Sequence, residues 1–338
     1  MPTSTQSSTR PRILVTWPVH ADVAARLNAL GDVDLHPGPE PLSPTALAQR
    51  IAGADALLGF MTDRVDAALL RHAPRLRVVA GALKGCDGYD IAACTAAGVW
   101  LTIVPDLLTE PTAELAVGLA IGLGRHLRDG DAQVRCGAFA GWRPTLYGHG
   151  LHGRTVAIVG MGRLGRAIAA RLRGFGCRLL GVDAAAIDGA WHDGITPSTL
   201  EDALDQADWV LLALPLSADT RHLIDAPRLA RARRGALWVN VGRGSVVDEA
   251  AMAAALASGQ VGGYAADVFA FEDLALDNRP AHIAPALRTH PATLFTPHLG
   301  SAVAEVRRAI EHRAVDNLAA ALAGAEPPDA VNRPSLRP

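Results

Sequence analysis

Two doubly wound, parallel-sheet α/β domains in tandem are what this sequence predicts. Three observations predict them. At 338 residues the chain is long enough for about two domains. Short β-branched runs alternate with alanine-rich helical stretches along its length, the pattern of parallel α/β folds. Hydrophobic residues make up 49% against 20% charged, ample for two packed cores and too apolar for a disordered chain. The 32 basic and 34 acidic residues leave a net charge of −2, so no field draws the chain to nucleic acid or anionic lipid. Aromatics at 4% offer no base-stacking platform. The longest apolar run, near Leu115–Leu123, falls far short of the ~20 residues of a membrane span.

Residues 1–11 are polar, lack the apolar core of a secretory signal, and read as a disordered tail. The strands expected next are Arg12–Thr16, Ala54–Gly59, Leu76–Ala80 and Val99–Thr102. Helices near Ala21–Leu30, Pro44–Ala52, Asp66–His72 and Asp90–Ala97 alternate with them. A linking helix runs over Pro111–Arg135, where Leu115, Leu119, Leu123 and Leu127 recur every fourth position. Gly118, Gly122 and Gly124 within it permit close approach, either by the rest of the chain or by a second copy. After it, Gly141–Gly150 (GWRPTLYGHG) reads as a loop. A second strand series follows at Thr155–Val159, Arg178–Asp183, Asp208–Leu214, Ala236–Asn240, Gly263–Val268 and Thr293–Thr296, with spacing that suits right-handed βαβ crossovers. Cys86, Cys94, Cys136 and Cys177 form no C-x-x-C pair and have no histidine at ligand spacing. They read as free thiols of a reduced, cytoplasmic compartment, and no metal site is expected.

The sharpest local signal is Gly160-Met-Gly162-Arg163-Leu164-Gly165, directly after a strand and opening the helix Arg163–Arg173. Gly160 suits the tight turn, Gly162 lets backbone approach a pyrophosphate, and Gly165 lets helix and strand pack closely. The helix N-terminus favours phosphate, and no Lys-Ser/Thr follows as a P-loop requires. Asp183, at the end of the next strand, suits the ribose hydroxyls of NAD and repels the 2′-phosphate of NADP. Ala184, Ala185 and Ala186 after it offer that phosphate no cation. The expected cofactor is therefore NAD, in a Rossmann-like domain.

Three later segments place chemistry after strands: Asn240-Val-Gly-Arg243-Gly, Ala266-Asp267-Val-Phe-Ala-Phe-Glu272, and Thr296-Pro-His298-Leu-Gly300-Ser301. Carboxyl ends of parallel strands line ligand crevices, so Arg243, Glu272 and His298 are expected to converge. These segments, together with Pro111-Thr112-Ala-Glu, resemble the D-2-hydroxyacid dehydrogenase superfamily. That resemblance implies a substrate domain (12–108 plus 300–332), an inserted NAD-binding domain (109–299), an active-site cleft between the two, and a homodimer. Gly81-Ala-Leu83-Lys84-Gly85, Gly98–Thr109, Gly124–Arg128, Gly141–Pro144, Leu211–Leu216 and Gly263–Phe269 further resemble the phosphite (phosphonate) dehydrogenases within it.

The closer resemblance implies NAD-dependent oxidation of phosphite to phosphate. Lys84 and Arg243 would clamp the oxyanion, with Arg243 able to bind two oxygens and with Leu83 and Gly85, either side of Lys84, as further substrate contacts. His298, hydrogen-bonded to Glu272, would be the acid/base group, its tautomer fixed by the carboxylate. Met61, Trp142, Tyr147 and Ser301 fall on pocket positions. Thr112, Arg163, Leu164, Ala213, Leu214, Pro215, Val241, Gly242, Asp267, His298 and Gly300 join the glycine loop and Asp183 as cofactor positions. Gly242 stands where relatives carry cysteine and is expected to loosen the Arg243 loop. A 2-hydroxyacid dehydrogenase or glyoxylate/hydroxypyruvate reductase is the alternative, using the same Arg–Glu–His set in reverse. A non-catalytic NAD(H)-sensing scaffold is a third reading, which turnover separates from both.

Overall fold

The first sheet is assembled by four βαβ connections. In the computed structural model, which describes residues 10–184 and 194–335, β1 (Arg12–Val15), β2 (Asp32–Leu35), β3 (Ala56–Gly59), β4 (Val78–Gly81) and β5 (Trp100–Thr102) all pair in parallel. Their order is β2-β1-β3-β4-β5. The connecting helices are α1 (Ala21–Leu30), α2 (Pro44–Ile51), α3 (Ala67–Arg71) and α4 (Ile91–Ala96). Ser43, Asp66 and Asp90 cap the last three, each accepting a backbone N–H of the first turn. Buried strands between two helical layers read as continuous apolar runs, as in Ala56-Leu-Leu-Gly59. The long α12 (Ala304–Leu322) returns to cover this sheet, burying Ile310, Ala314, Val315 and Leu318 against β1, β3 and β4 residues. The chain divides into this unit (up to Leu108, and from Val303) and a second unit, Thr109–Ala302.

The second unit carries a seven-stranded parallel sheet in the order β12-β11-β10-β9-β6-β7-β8. Its strands are β6 (Thr155–Val159), β7 (Arg178–Val182), β8 (Ile195–Pro197), β9 (Trp209–Leu212), β10 (Ala236–Asn240), β11 (Val261–Ala266) and β12 (Thr293–Phe295). The order reverses between β6 and β9, the switch point at which doubly wound sheets bind nucleotides. Helices α7 (Arg163–Leu172), α8 (Leu200–Gln206), α9 (Ala226–Arg231), α10 (Glu249–Ala257) and α11 (Pro285–Arg288) complete the layers with α5 (Thr109–Gly124).

Several expectations change. The linking helix is two helices, α5 (Thr109–Gly124) and α6 (Leu127–Arg135), because His126 takes a left-handed conformation (φ 52°) and breaks the run. α5 is buried, whereas no residue of α6 is. Gly122 and Gly124 serve packing within the chain: a Cβ there would lie 2.8 Å from Leu294 Cδ2 and 2.5 Å from His149 O. Gly118 faces open space. Strands β2 and β8 were not expected; both are edge strands. Of the expected tail, residues 1–9 lie outside the described residues, as do Ala185 and Ala186. Arg10 and Pro11 are part of the fold, since Pro11 O accepts the Asp32 N–H at 2.8 Å and Arg10 donates to Gly31 O at 3.1 Å. The four cysteines are free thiols. Among the described residues no helix is long and apolar enough to cross a membrane.

Candidate active site

The glycine loop between β6 and α7 has the geometry its spacing demands. Gly160 sits at φ 97°, where a side chain would be strained, and a Cβ there would meet Ala213 O at 2.8 Å. A Cβ on Gly165 would lie 1.9 Å from Gly160 O, so helix and loop touch backbone to backbone. Nothing stands within 4 Å of a Cβ at Gly162, the N-cap of α7, which leaves that approach open. Arg163 and Leu164 open the helix beside it, and Ala213, Leu214 and Pro215 follow β9 across the switch point. Asp183, after β7, accepts the Met161 N–H at 2.7 Å and so sits over the loop. An open anion-favouring helix start with a carboxylate on the next strand fits a dinucleotide.

Beside the loop, three neighbouring parallel strands carry polar residues at or just after their carboxyl ends: Asn240 ends β10, Asp267 follows β11 and His298 follows β12. Asn240 ends β10, fully buried, and its side chain holds the next turn: Oδ1 accepts the Gly242 N–H at 3.0 Å and Nδ2 donates to Arg243 O at 2.9 Å. Gly242 does not loosen this turn, contrary to expectation. A Cβ there would lie 2.5 Å from Leu214 O, so the glycine permits tight backbone contact. Val241 is buried, and Arg243 is half-buried with Nη1 on Gly242 O at 2.8 Å.

Asp267 follows β11 and organises the histidine turn after β12. Its Oδ1 accepts Thr296 Oγ1–H at 2.6 Å and the Leu299 N–H at 2.7 Å, while Oδ2 accepts the Gly300 N–H at 2.9 Å. Burial raises the Asp267 carboxyl above its ordinary range, against those hydrogen bonds and His298, which lower it. Held by this brace, His298 adopts φ 57°, an uncommon conformation for a non-glycine residue and one found at functional sites. Its Nδ1 lies 2.7 Å from Glu272 Oε2, both half-buried. Gly300 is crowded: a Cβ there would lie 2.9 Å from Thr112 Oγ1 and 3.3 Å from Asp267 Oδ2. Thr112, Asp267 and Gly300 therefore lie together, and Ser301 follows half-buried. With one imidazole nitrogen held by a carboxylate, the other is left for a proton in transit.

In the first unit, Lys84 and Gly85 are half-buried after β4, and Met61 is exposed after β3. Leu83 needs correcting as a substrate contact: at 1% exposure its side chain belongs to the core, and its carbonyl accepts the Val104 N–H at 2.8 Å. Arg307 of α12, which carries no motif signal in the sequence, lies over the Phe60 ring at 5.9 Å and donates to Ala82 O at 3.4 Å, two residues from Lys84. Burial lowers its pKa, against Glu311, which raises it. Trp142 and Tyr147 also need correcting as pocket residues within one chain. They are 83% and 78% exposed on a segment whose roots, His126 and His149, line a cavity with Leu237, Gly262 and Thr293, at the amino ends of the strands. Glu272 and His298 follow the opposite ends.

The chain belongs to the D-isomer specific 2-hydroxyacid dehydrogenase family, whose NAD-binding domain matches residues 117–300. A glyoxylate reductase of Korarchaeum cryptofilum is 35% identical over 327 residues, 96% of each chain. One of Aeropyrum pernix is 35% identical over 330 residues, again 96% of each. Among solved structures, a Thermus thermophilus protein superposes with TM-score 0.87 at 35% identity, covering 95% of this chain and 99% of that one. An NADPH-dependent glyoxylate/hydroxypyruvate reductase of Sinorhizobium meliloti, solved with NADP and malonate, gives 0.84 at 30% identity, covering 98% and 99%. Three of these four are named glyoxylate or glyoxylate/hydroxypyruvate reductases, and none of the four names mentions phosphite. The chain is thus an oxidoreductase with a nicotinamide dinucleotide domain.

Proposed function

We propose that this protein oxidises phosphite to phosphate with NAD as hydride acceptor. The observation that carries the reading is Lys84, half-buried in the turn after β4. A full positive charge there suits an oxyanion of two negative charges better than a carboxylate of one. Arg307 beside the same turn adds to that field. Bound NAD would supply the hydride acceptor, seated by Gly160–Gly165, Asp183 and Thr112. Arg243 offers its planar fork to the anion, gripping two oxygens at once. Glu272 fixes Nδ1 of His298, so that Nε2 can take a proton as water adds to phosphorus. One water oxygen then replaces the hydrogen that leaves phosphorus as hydride.

Glyoxylate reduction is the second reading, favoured by the names of the relatives. It uses the same residues, with His298 giving a proton to the carbonyl oxygen as hydride arrives at carbon. Two assays separate the readings: NADH formation with phosphite and NAD, and NADH loss with glyoxylate. Phosphite-dependent NADH with one phosphate per turnover supports the first, and NADH loss with glyoxylate alone overturns it. We also propose a homodimer, because Leu127, Val134, Phe139, Trp142 and Tyr147 expose an apolar series along one segment. Sedimentation of Val134→Glu as a monomer, where the wild type is a dimer, is the expected result.

A further inference from the structure

Three carboxylates gather around the turn behind His298, and Glu272 is the one that meets the ring. Its Oε2 lies against Nδ1, while its Oε1 accepts the Phe269 N–H at 2.8 Å. Glu249, the first residue of α10, accepts the Ala270 N–H at 2.7 Å. Asp273, 5% exposed, accepts the buried Ser245 N–H at 2.7 Å. Gly244 lies so close to the same turn that a Cβ there would stand 1.8 Å from Phe269 C. The turn that carries Glu272 is therefore tied to α10 at one end and to the segment after Arg243 at the other.

Grouping acids this way opposes folding. Glu249 shows the cost: burial, with Asp273, Glu272 and Asp248 nearby, raises its carboxyl above the ordinary range, while the Ala270 N–H lowers it. Sequences depart from local optimality of this kind mainly where a site requires it. Charge-assisted bonds from buried carboxylates to backbone N–H are stronger and shorter than neutral ones, which suits a clamp.

We propose that Asp273 and Glu249 are positioning residues for the reaction: by fixing the Phe269–Glu272 turn against the segment after Arg243, they set how Glu272 meets His298 and where Arg243 points. This rests on the roles given to Arg243, Glu272 and His298 above. The test uses the full chain and the variants Asp273→Ala, Asp273→Asn and Glu249→Ala. Steady-state kinetics and melting temperature accompany an NMR pH titration of the His298 ring, whose signals are those missing from His298→Asn. Asp273→Ala is expected to lower kcat on the order of 10–100-fold with KM for NAD little changed, since small misplacements of reacting groups have effects of that size. Its His298 titration moves towards that of Glu272→Gln. Asp273→Asn, whose amide oxygen still accepts the Ser245 N–H, restores most of both, and Glu249→Ala moves the titration the same way if Asp273→Ala does not fold. A folded Asp273→Ala or Glu249→Ala that titrates as wild type overturns the proposal. So does a fall in kcat that only tracks the folded fraction. If the wild type turns over neither phosphite nor glyoxylate, the functional reading fails, while the titration still decides the positioning role.

Discussion

Asp63→Asn should change how stability depends on pH, by an amount the structure sets. Asp63 follows β3 at 3% exposure, with Oδ2 accepting from Thr16 Oγ1–H and from the Phe60 N–H at 2.7 Å. Tyr89 OH donates to Phe60 O at 2.9 Å on the same turn. Burial raises the Asp63 carboxyl from the ordinary 3.8 to about 6, although Thr16, Phe60 and the charge of His36 pull it down. A carboxyl raised in the folded state binds its proton there while the unfolded chain has already lost it. Stability therefore falls as pH rises from about 4 to about 6, and the loss persists above that window. A gap of about two pH units corresponds to ~3 kcal/mol at full ionisation. Asparagine keeps an acceptor for Phe60 and carries no charge, so Asp63→Asn should remove that slope. Any unpaired amide N–H it introduces costs about 1–3 kcal/mol at every pH, which moves the curve without tilting it. Urea unfolding of wild type and variant at several values from pH 4 to 7.5 measures the difference, and other titrating groups cancel in the comparison. Parallel curves across the window would refute the reasoning.

Gly165→Ala should abolish NADH binding or destabilise the second unit, because its Cβ would stand 1.9 Å from Gly160 O; calorimetric titration with NADH checks it. Asp183→Ala combined with Ala184→Arg should raise the NADP/NAD ratio of kcat/KM, by removing a repulsive carboxylate and adding a phosphate partner. Lys84→Ala should raise KM for phosphite with KM for NAD unchanged, by an amount equivalent to about 2–4 kcal/mol for a lost charge-assisted contact. An unchanged phosphite KM removes the lysine from the substrate.

The sequence showed the parallel architecture because buried strands such as Ala56–Gly59 and Trp209–Leu212 are unbroken apolar runs. It hid β2, whose Asp-Val-Asp-Leu alternates acids on a half-exposed edge, and β8, three residues ending in proline. The break at His126 was masked because the leucine stripe continues through it to Leu127, although Gly122 and Gly124 just before it weaken the helix and α5 ends on Gly124. In the site, Arg243, Glu272 and His298 were legible as polar residues after strands. What holds them was not: Asp267 with Leu299 and Gly300, Asp273 with Ser245, and Glu249 with Ala270 are contacts between segments 21 to 33 residues apart. Gly242 was misread for the same reason. Its need for glycine comes from Leu214, on the neighbouring strand's loop, and not from its own turn.

The proposed reaction makes the imidazole after β12 the group on which turnover should depend most directly. His298→Asn should fold with the wild-type melting temperature to within a few degrees and bind NADH as tightly as the wild type. Its kcat, on whichever of phosphite or glyoxylate the wild type uses, should fall on the order of 100-fold or more, the scale for losing an acid/base group. A stably folded His298→Asn enzyme that binds NADH and keeps nearly full turnover would contradict the catalytic role given to His298.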